Sequence, residues 1–586
     1  MTSVGLFSFP IYFKNSLLAT LIQPLSNMRF FSLFIFLFSF ASVHAQQVDW
    51  FRHFKGPGVC YPQDLDVDAN GNYYITGIFD ENFDADPGPG VTTLTTVNGW
   101  DIFIIKMDPQ LNLVWAKSIG GISFDTGEAL KIDADGNILI SGKFNETVDF
   151  DPGPGVANLV EPANFSGLSV AYLAKYTSDG EYIYAYSFNG FKESRIRSLD
   201  VDAQSNVYFS GTFGGTMDAD PGPGTTTLTS KLNVEEPFFC KFNKAGNLCW
   251  AKKIEGGDGY DVFATVVDDQ GGFFAAGIFY GKTDFDPGPD SAFVTTKSNL
   301  PNMFILHLDT AGNYKWVRSF GKGYGNTLLY KPDGHILFGG NFEDTVDFEP
   351  GPGVTQRISK GNADNFIINL NAQGNLAWVQ TFGGTGQEGV REINLDNNGN
   401  LYASGFFSGT VDFDPGPATA NFTSNDVDIF VSKFSATGTF QSAFTLTGVG
   451  NQVPQRCFFG TDNDPIVMGH FTNTMTIRPT PGTFSLTSAG KEDFFLAHVI
   501  PGTTANLDLT EAQGINLFPN PTNNVLHIKG MDLVPGTYTI FNSLGKQMET
   551  PATSNNGLDV AALPSGLYQI LIRHDGRAKT LSWVKE

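Results

Sequence analysis

Short runs of alternating apolar and polar residues recur along most of the chain. Residues 65–79 (LDVDANGNYYITGIF) form two such runs around an Asn-Gly turn, and residues 101–117 form a second pair; both patterns are typical of β-hairpins. Relatives of the second hairpin lie at 237–252, 302–318, 364–380 and 428–444. Its second strand carries an aromatic residue at Trp50, Trp115, Trp250, Trp316 and Trp378, with Tyr184 and Phe440 as substitutes. The pattern predicts four strands per repeat and hardly any helix.

A proline- and glycine-rich loop of sequence Asp-x-Asp-Pro-Gly-Pro, or a close variant, punctuates each repeat. Its first acid is Asp84, Asp149, Asp218, Asp284, Asp347 and Asp412, with Thr476 in the seventh copy. Seven residues earlier stands a glycine: Gly77, Gly142, Gly211, Gly277, Gly340, Gly405 and Gly469. Proline fixes φ and glycine permits positive φ, so each loop specifies a rigid turn. The constant offset indicates equivalent positions in one repeated unit.

This repeat predicts an all-β fold in which residues 46–500 form a seven-bladed β-propeller of about 65 residues per blade. The unit is too short for an immunoglobulin sandwich of roughly 100 residues. The first Trp strand, at 48–54, lacks a hairpin partner, and the last partner strand, at 493–499, lacks a Trp strand. Pairing of these two strands would close the ring. The units resemble bacterial β-propeller repeats of surface proteins, which implies a fold but no activity.

The net charge and the number of cysteines restrict the kinds of molecule that the protein could bind and the kind of scaffold that it could have. The 586 residues carry a net charge of −24, which argues against nucleic-acid binding and fits a soluble exported protein or one that holds cations. Four cysteines are too few for a disulfide scaffold in a chain of this length. Cys240 and Cys249 lie on the two strands of one hairpin, so they form either a disulfide or two free thiols.

The N-terminal residues 1–45 are predicted to be an extension followed by a signal peptide, with Met28 as the start. Residues 28–45 contain Arg29, an apolar run and Val43-x-Ala45 as the cleavage site. The alternative, a membrane anchor, is disfavoured because the apolar run is shorter than the ~20 residues that a span needs. We therefore expect no transmembrane span and export first to the periplasm.

The C-terminal region departs from the repeat. Residues 501–514 are small and polar and predict a linker, and residues 515–586 predict a separate small β-domain. Asn516 begins the segment NLFPNP, Tyr538 begins YTIFNSLGK, and Leu558 begins a segment that ends in Gly-Leu-Tyr; a basic stretch follows at 579–585.

In this order, these segments resemble the type-A C-terminal sorting domain of type IX secretion substrates. The matching positions are Pro519, Asn520, Pro521, Gly545, Gly566, Tyr568, Lys579 and Lys585. The resemblance implies a small β-sandwich that the type IX machinery recognises in Bacteroidota-type bacteria. It also implies export across the outer membrane, removal of the domain, and release or attachment at the cell surface. The alternative is an accessory sandwich without a sorting role.

The acids of the repeated loops are the candidate metal ligands. They form six pairs: Asp84 with Asp86, Asp149 with Asp151, Asp218 with Asp220, Asp284 with Asp286, Asp347 with Glu349, and Asp412 with Asp414. On extended backbone, side chains two residues apart point the same way, and oxygen ligands in a rigid turn suit Ca²⁺. The alternative is that each acid caps its own turn by accepting backbone N–H groups. The seventh copy favours capping, because Thr476 and Arg478 replace both acids.

Catalytic motifs are absent from the sequence: it has no His-Glu-x-x-His, Gly-x-Ser-x-Gly, phosphate-binding loop or Cys-x-x-Cys. The residues that break the repeat, and could build a site at the propeller channel, include Arg195, Arg197, Glu388 and Arg391. We predict a monomeric, non-enzymatic binding or structural protein, secreted or at the cell surface, with a glycan, surface polymer or protein as partner. The alternative is a polysaccharide-active hydrolase or lyase with its active site at the channel.

Overall fold

A computed structural model describes most of the chain beyond residue 46. The described residues are 47–162, 167–190, 192–231, 234–296, 300–460, 463–477, 484–500, 516–518, 522, 525–529, 538–542, 548, 553–554, 557–564, 566–574 and 577–585. They form an all-β structure without helices, in which neighbouring strands pair antiparallel. The predicted signal peptide and the linker at 501–514 lie outside these residues.

Seven four-stranded antiparallel units follow one another between residues 47 and 500 of the described chain. We number them in chain order. Sheet 1 contains Cys60–Val67, Tyr73–Phe79, Asp101–Met107 and Leu113–Ile119. Sheet 2 contains Thr126–Ile132, Ile138–Phe144, Val170–Tyr176 and Tyr182–Phe188. Sheet 3 contains Ser194–Val201, Val207–Gly214, Glu235–Phe242 and Leu248–Lys253.

The later sheets are partly joined by long strands. Sheet 4 contains Gly259–Val267, Phe273–Tyr280, Asn302–Leu308 and the beginning of Tyr314–Tyr330. Sheet 5 contains the end of that strand with Ile336–Phe342, Asp364–Leu370 and Leu376–Gly384. Sheet 6 contains Glu388–Leu395, Leu401–Asp412, Asn421–Phe434 and Phe440–Val449. Sheet 7 contains Gln452–Phe459, Pro465–Phe471, Asp493–Ile500 and Gln47–Phe54.

Sheet 7 combines the two ends of the repeat region. Gln47–Phe54 pairs with Asp493–Ile500, which confirms the predicted pairing of these strands. The rings of Phe54 and Phe494 stack with their centroids 3.9 Å apart, and Trp50 stacks on His498 at 5.2 Å. The pairing thus buries aromatic surface as well as forming backbone hydrogen bonds.

The sheets pack face to face through seven hydrophobic cores, each shared by two consecutive sheets of the described chain. The seventh core joins sheet 7 to sheet 1 through residues such as Phe458, Phe494 and Phe103. The first strands of successive sheets also contact one another, and the first strand of sheet 7 contacts that of sheet 1. Burial of apolar faces between neighbours is therefore the main force that holds the sheets together.

A short hairpin carrying the repeated loop projects between the second and third strand of each sheet. The hairpins are Phe83–Asp84 with Thr93–Leu94, Thr147–Asp149 with Asn158–Val160, Thr216–Asp218 with Thr227–Thr229, Lys282–Asp284 with Phe293–Thr295, and Thr345–Asp347 with Gln356–Ile358. Sheet 6 carries its hairpin as an extension of its second and third strands, and sheet 7 carries Thr474–Ile477 with Phe484–Thr487. Arg478 lies outside the described residues.

The strand register corrects one sequence-based assignment. Lys106 lies opposite Trp115, and Lys433 at the same place in sheet 6 lies opposite Ser442, so Ser442 and not Phe440 takes the Trp position. Trp250 donates from its indole N–H to the Thr310 carbonyl oxygen, in the turn before the fourth strand of the next sheet. Sheet 7 differs from the other sheets here, because its third and fourth strands, Asp493–Ile500 and Gln47–Phe54, are not consecutive in the chain.

Cys240 and Cys249 are two free thiols, which is one of the two alternatives that the sequence left open; they do not form a disulfide. Cys240 lies opposite Ala251 and is buried, whereas Cys249 is exposed. No helix in the described part of the chain combines the length and apolarity that crossing a lipid bilayer requires.

The C-terminal region forms two further sheets. One contains Asn516–Phe518, Val525–Lys529, Thr553–Ser554 and Gly557–Asp559; the other contains Tyr538–Asn542, Gly566–His574 and Arg577–Lys585. Leu526 and Leu558 of the first sheet share a core with Ile540 and Ile570 of the second. The two sheets are therefore packed on common apolar side chains.

Candidate functional site

A β-bulge interrupts the first strand of every sheet at the same place. In sheet 1, Pro62 and Asp64 pair with consecutive residues of the second strand, which leaves Gln63 as the extra residue. We call the seven extra residues the bulge ring: Gln63, Glu128, Arg197, Phe263, Asn326, Arg391 and Gln455. Bulges re-aim side chains and often lie beside functional sites. The first strands contact one another, so the bulge ring brings seven side chains of five residue types to one region.

The repeated glycines explain why the bulges are invariant. Gly77 lies opposite the bulge of sheet 1, and a Cβ atom there would lie 2.1 Å from the carbonyl oxygen of Tyr61. At Gly142, the same atom would lie 1.9 Å from the Thr126 carbonyl oxygen. Only glycine permits this approach of the first strand. The glycine recognised in the sequence is therefore part of the bulge.

Ion pairs join the bulge ring and its neighbours across sheets. Arg197 in sheet 3 lies 3.3 Å from Asp261 in sheet 4 and 3.8 Å from Glu128 in sheet 2. Arg195 also reaches Asp261, at 3.1 Å. Burial raises the pKa of Glu128, and Arg197 and Arg195 counteract that effect. The acids on this side of the ring thus have basic partners.

A second ion-pair group joins the first strands of sheets 6, 7 and 1. Arg456 in sheet 7 hydrogen-bonds Asp64 in sheet 1 at 2.6 Å and Glu392 in sheet 6 at 2.7 Å. Burial alone would lower the pKa of the neighbouring Lys131. Asp66 and other nearby carboxylates outweigh this effect, so the pKa of Lys131 is raised. These contacts connect sheets that are distant in sequence.

The four residues that break the repeat in the sequence do not all lie in one place in the structure. Arg197 and Arg391 are members of the bulge ring, and Arg195 lies beside it in the same strand as Arg197. Arg391 is exposed, and its guanidinium carbon lies 5.5 Å from the centre of the Phe406 ring. Glu388 is fully buried and cannot meet a ligand at the surface.

Five members of the bulge ring were missed from the sequence: Gln63, Glu128, Phe263, Asn326 and Gln455. A signal was present, because each ring member precedes the repeated glycine by 14 residues, as Gln63 precedes Gly77 and Gln455 precedes Gly469. Since the side chains differ from copy to copy, a search for similar residues could not find this position.

The first acid of each repeated loop holds its own turn. Asp149 Oδ1 accepts hydrogen bonds from the N–H groups of Asp151 at 3.1 Å and Ala157 at 2.7 Å. One carboxylate oxygen thus joins the two sides of the loop. The same pair of bonds recurs at the first acid of the five other loops, Asp84, Asp218, Asp284, Asp347 and Asp412.

The second acid of each loop caps the Pro-Gly turn that follows it. Asp151 Oδ1 accepts the N–H of Gly153, two residues along, at 2.8 Å. The equivalent glycine N–H is accepted in the other loops by Asp86, Asp220, Asp286, Glu349 and Asp414. A glutamate therefore serves as well as an aspartate at this position.

This geometry is the capping arrangement that the sequence analysis offered as the alternative to metal binding. Among the described residues, no group of three or more His, Cys, Asp or Glu side chains is placed to hold a metal ion. The predicted ligands come as pairs and not as groups of three: Asp84 and Asp86, Asp149 and Asp151, Asp218 and Asp220, Asp284 and Asp286, Asp347 and Glu349, and Asp412 and Asp414. Ca²⁺ binding by the loops stays a prediction.

Half of the sorting positions can be placed. Gly566 and Tyr568 lie in Gly566–His574, and Lys579 and Lys585 lie in Arg577–Lys585. The Tyr568 hydroxyl donates to the Pro564 carbonyl oxygen at 2.8 Å, which ties the strand to the turn before it. Pro519, Asn520, Pro521 and Gly545 lie outside the described residues.

Comparison with known proteins identifies the C-terminal region. Residues 516–586 match the family described as the secretion system C-terminal sorting domain, which supports a type IX sorting signal at this end of the chain. A curated relative, an uncharacterized WD repeat-containing protein L264 of Acanthamoeba polyphaga mimivirus, is 21% identical over 483 residues. That match covers 69% of this chain and only 35% of the relative's length.

Solved structures give weaker likenesses. A member of the DUF4221 family from Bacteroides vulgatus matches with a TM-score of 0.28 and 11% identity, over 61% of this chain and 92% of the other. Sqt1 from Chaetomium thermophilum matches with a TM-score of 0.36 and 8% identity, over 78% of this chain and 100% of the other. Scores this low carry no weight for the fold or the function.

Proposed function

We propose that the chain is a non-enzymatic binding protein, which the type IX secretion system delivers to the cell surface or the medium. The match of residues 516–586 to the secretion sorting family carries the export part of this proposal. The signal peptide at 28–45 directs the first step, into the periplasm. The type IX machinery then recognises the C-terminal domain, and the domain is removed at or after passage of the outer membrane.

The exported body is, in this proposal, a monomeric seven-bladed β-propeller. Three observations support it: four-stranded sheets in succession, a hydrophobic core between each sheet and the next, and the pairing of Gln47–Phe54 with Asp493–Ile500. A radial arrangement accounts for all three, because it lets every sheet bury both faces against two neighbours.

Binding is assigned to the surface around the bulge ring. The backbone of this ring repeats, while its side chains comprise one acid, two bases, three amides and one aromatic residue, so the seven copies provide one asymmetric surface. Glu128 and Asp261 there are paired with arginine. Glycoside hydrolysis needs one carboxyl group as proton donor and a second as nucleophile or base. The ion pairs therefore favour binding over hydrolysis.

Export can be tested by truncation. A chain ending at residue 515 is compared with the full chain in a bacterium that has a type IX system, and the protein is measured in periplasm, surface and medium. We expect the truncated chain to accumulate in the periplasm. A Cys249→Ser variant, altered only at an exposed position, controls for expression and should be exported normally. Equal surface or medium amounts of the truncated and full chains would disprove the sorting role.

The non-enzymatic part has a separate test. Purified full-length protein is incubated with surface polysaccharide of the producing cells, and new reducing and unsaturated ends are measured. We expect no new ends. Their appearance, and their loss in a Glu128→Gln variant, would favour the hydrolase or lyase instead.

A further inference from the structure

A cleft of about 470 Å³ opens where sheets 1, 2 and 3 meet. Its lining residues are Trp100, Ser123, Phe124, Thr126, Lys143, Asn145, Gly167, Ser169 and Glu193. Thr126 links the cleft to the bulge ring, because its hydroxyl donates to Glu128 at 3.2 Å. The volume is within the range of small-molecule sites in proteins, which runs from about 300 to 1,000 Å³.

One wall of the cleft is aromatic. The rings of Trp100 and Phe124 meet edge to face, with centroids 5.7 Å apart and an angle of 86° between their planes. The Phe124 side chain is 55% exposed, and Ile122 beside it is 60% exposed. Burying this surface against a ligand would remove apolar area from water.

The aromatic pair breaks the repeat. Trp100 and Phe124 are joined by an isolated parallel bridge between sheets 1 and 2, and similar bridges join three other neighbouring sheets. The residues at those bridges are Ala363 with Gln387, Val427 with Asn451, and Val59 with Glu492. None of these pairs is aromatic, so the wall is a local departure that the repeated backbone does not require.

The loop that presents Phe124 is held by buried hydrogen bonds. Asp125 is fully buried, and its carboxylate accepts the N–H groups of Gly121 at 2.8 Å and Asn145 at 3.0 Å. The Asn145 side-chain nitrogen donates to the Phe124 carbonyl oxygen at 2.9 Å and to Ser169 Oγ at 3.1 Å. The aromatic wall is therefore fixed before a ligand arrives, which reduces the entropic cost of binding.

The rest of the cleft lining is mostly polar and contains a cation and an anion close together. Lys143 Nζ lies 2.9 Å from Glu193 Oε1, and both side chains are partly exposed. Ser169 and Thr126 add hydroxyl groups. This wall offers both donors and acceptors without a surplus of either charge.

From this arrangement we infer that the cleft binds a neutral glycan, with one sugar ring against Phe124 and Trp100 and its hydroxyl groups on Lys143, Glu193 and Ser169. A pyranose ring has an apolar face of C–H groups that packs on an aromatic ring, and a rim of hydroxyl groups that both donate and accept. The Lys143–Glu193 pair gives a charged ligand little net attraction, because the opposite charges of the pair offset each other. The inference deepens the proposed function by naming a ligand class.

The test uses the full-length protein and a microarray of neutral oligosaccharides, with an array of peptides in parallel. The best neutral glycan is then titrated calorimetrically. We expect Phe124→Ala to weaken the affinity about tenfold or more by removing the stacking surface. Lys143→Met, which keeps the length of the side chain but removes its hydrogen bonds, should also weaken binding.

Phe293→Ala is the matched control, because Phe293 is also 55% exposed but lies in the hairpin of sheet 4. It should leave glycan affinity unchanged, and melting temperatures of all variants show whether they fold. The inference would be overturned by any one of three results: no neutral glycan binds, Phe124→Ala leaves the affinity unchanged, or the protein prefers peptides. These results are separate from the export test, which probes residues 516–586.

Discussion

At the scale of single residues, two buried acids occupy one repeat position. Asp125 and Glu388 each lie three residues before a bulge-ring member, Glu128 and Arg391 respectively. Burial raises the pKa of Asp125 to about 7, although two backbone N–H groups stabilise its charge. Burial, and then the nearby Asp364, raises the pKa of Glu388 to about 8.

The carboxyl groups of Asp125 and Glu388 differ in their hydrogen bonds, because Asp125 accepts two backbone N–H groups. The Gly384 N–H lies near Glu388 and opposes the shift in pKa, but it does not complete a hydrogen bond to either carboxyl oxygen. An ionised carboxylate without donors is costly in a buried site. We therefore expect Glu388 to stay protonated in the folded protein at neutral pH.

The stability of the protein should consequently fall as pH rises. The ordinary pKa of a glutamate is 4.5, and in the folded protein that of Glu388 is about 8, so the unfolded chain loses its proton first. The free energy of unfolding should decrease between about pH 4.5 and 8, by roughly a few kcal/mol from this residue. Denaturant unfolding at pH 5, 6.5 and 8 measures the decrease.

Glu388→Gln removes the titrating group and should flatten this dependence on pH, whatever it does to stability at any one pH. Glu181→Gln, at an exposed site in sheet 2, should leave the dependence as in the unmodified protein. A Glu388→Gln variant that loses stability with rising pH as steeply as the unmodified protein would contradict the assignment.

At the scale of elements, the repeated hairpins are built on acids that cap their own turns. Asp149 accepts two N–H groups that would otherwise lack partners in the loop. The close fit extends to Gly155, where a Cβ atom would lie 2.0 Å from Asp151 Oδ2. The prolines, the glycines and the two acids of each loop thus act together to specify a single turn conformation.

The double variant Asp149→Ala/Asp151→Ala should destabilise the protein by about 1–2 kcal/mol through the lost caps. Thermal unfolding in Ca²⁺ and in chelator distinguishes capping from metal binding. If the acids only cap, the loss is equal in both buffers. A rise in the melting temperature of the unmodified protein with Ca²⁺, absent from the double variant, would instead establish a metal site. Thr476→Ala, in the seventh hairpin, is the control without acids and should change little.

The repeat length and the strands within each repeat could be predicted from the sequence, but the contacts between neighbouring sheets could not. The Asn-Gly turns and alternating runs indicated hairpins because local propensity and the fold agree there. The prediction for the Trp position was wrong at Phe440, because the strand register places Ser442 there and the sequence does not show the register. Contacts between sheets leave no local pattern, and the cleft was missed because its lining is scattered along the chain from Trp100 to Glu193.

At the scale of the whole molecule, Asp493 fastens the two ends of the repeat region. Its Oδ2 lies 2.7 Å from His53 Nε2 and accepts the Ala489 N–H at 2.8 Å, while Oδ1 accepts the Gly56 N–H at 3.3 Å. The carboxylate is fully buried. Asp364 takes the same place in sheet 5 but accepts only the nearby N–H groups of Lys360 and Gly361.

Asp493→Ala should therefore destabilise the protein by about 2–4 kcal/mol, because it leaves the buried Gly56 N–H and the largely buried His53 ring without this partner. Hydrogen exchange should accelerate in both Gln47–Phe54 and Asp493–Ile500. Asp364→Ala, the matched control, should accelerate exchange only around sheet 5. Unchanged protection of Gln47–Phe54 in Asp493→Ala would show that this carboxylate does not hold the strands together.

The pairing of Gln47–Phe54 with Asp493–Ile500 was predictable from the sequence for a simple physical reason. One hairpin lacked its second strand at the start of the repeats and another lacked its partner at the end, so the two unfinished hairpins had to be complementary. The identity of the side chains around the bulge ring was not predictable, because a repeated backbone places no restriction on residues that point away from the core.

The pairing of Gln47–Phe54 with Asp493–Ile500 also governs the timing of folding. During synthesis, the strand that is made first must wait for the last strand of the repeat region, and a loop of this length closes slowly. A chain interrupted before Asp493 leaves the edge of Pro465–Phe471 bare, open to proteases and to pairing with other chains. Sheet 7 is therefore complete only in a chain that contains both Gln47–Phe54 and Asp493–Ile500.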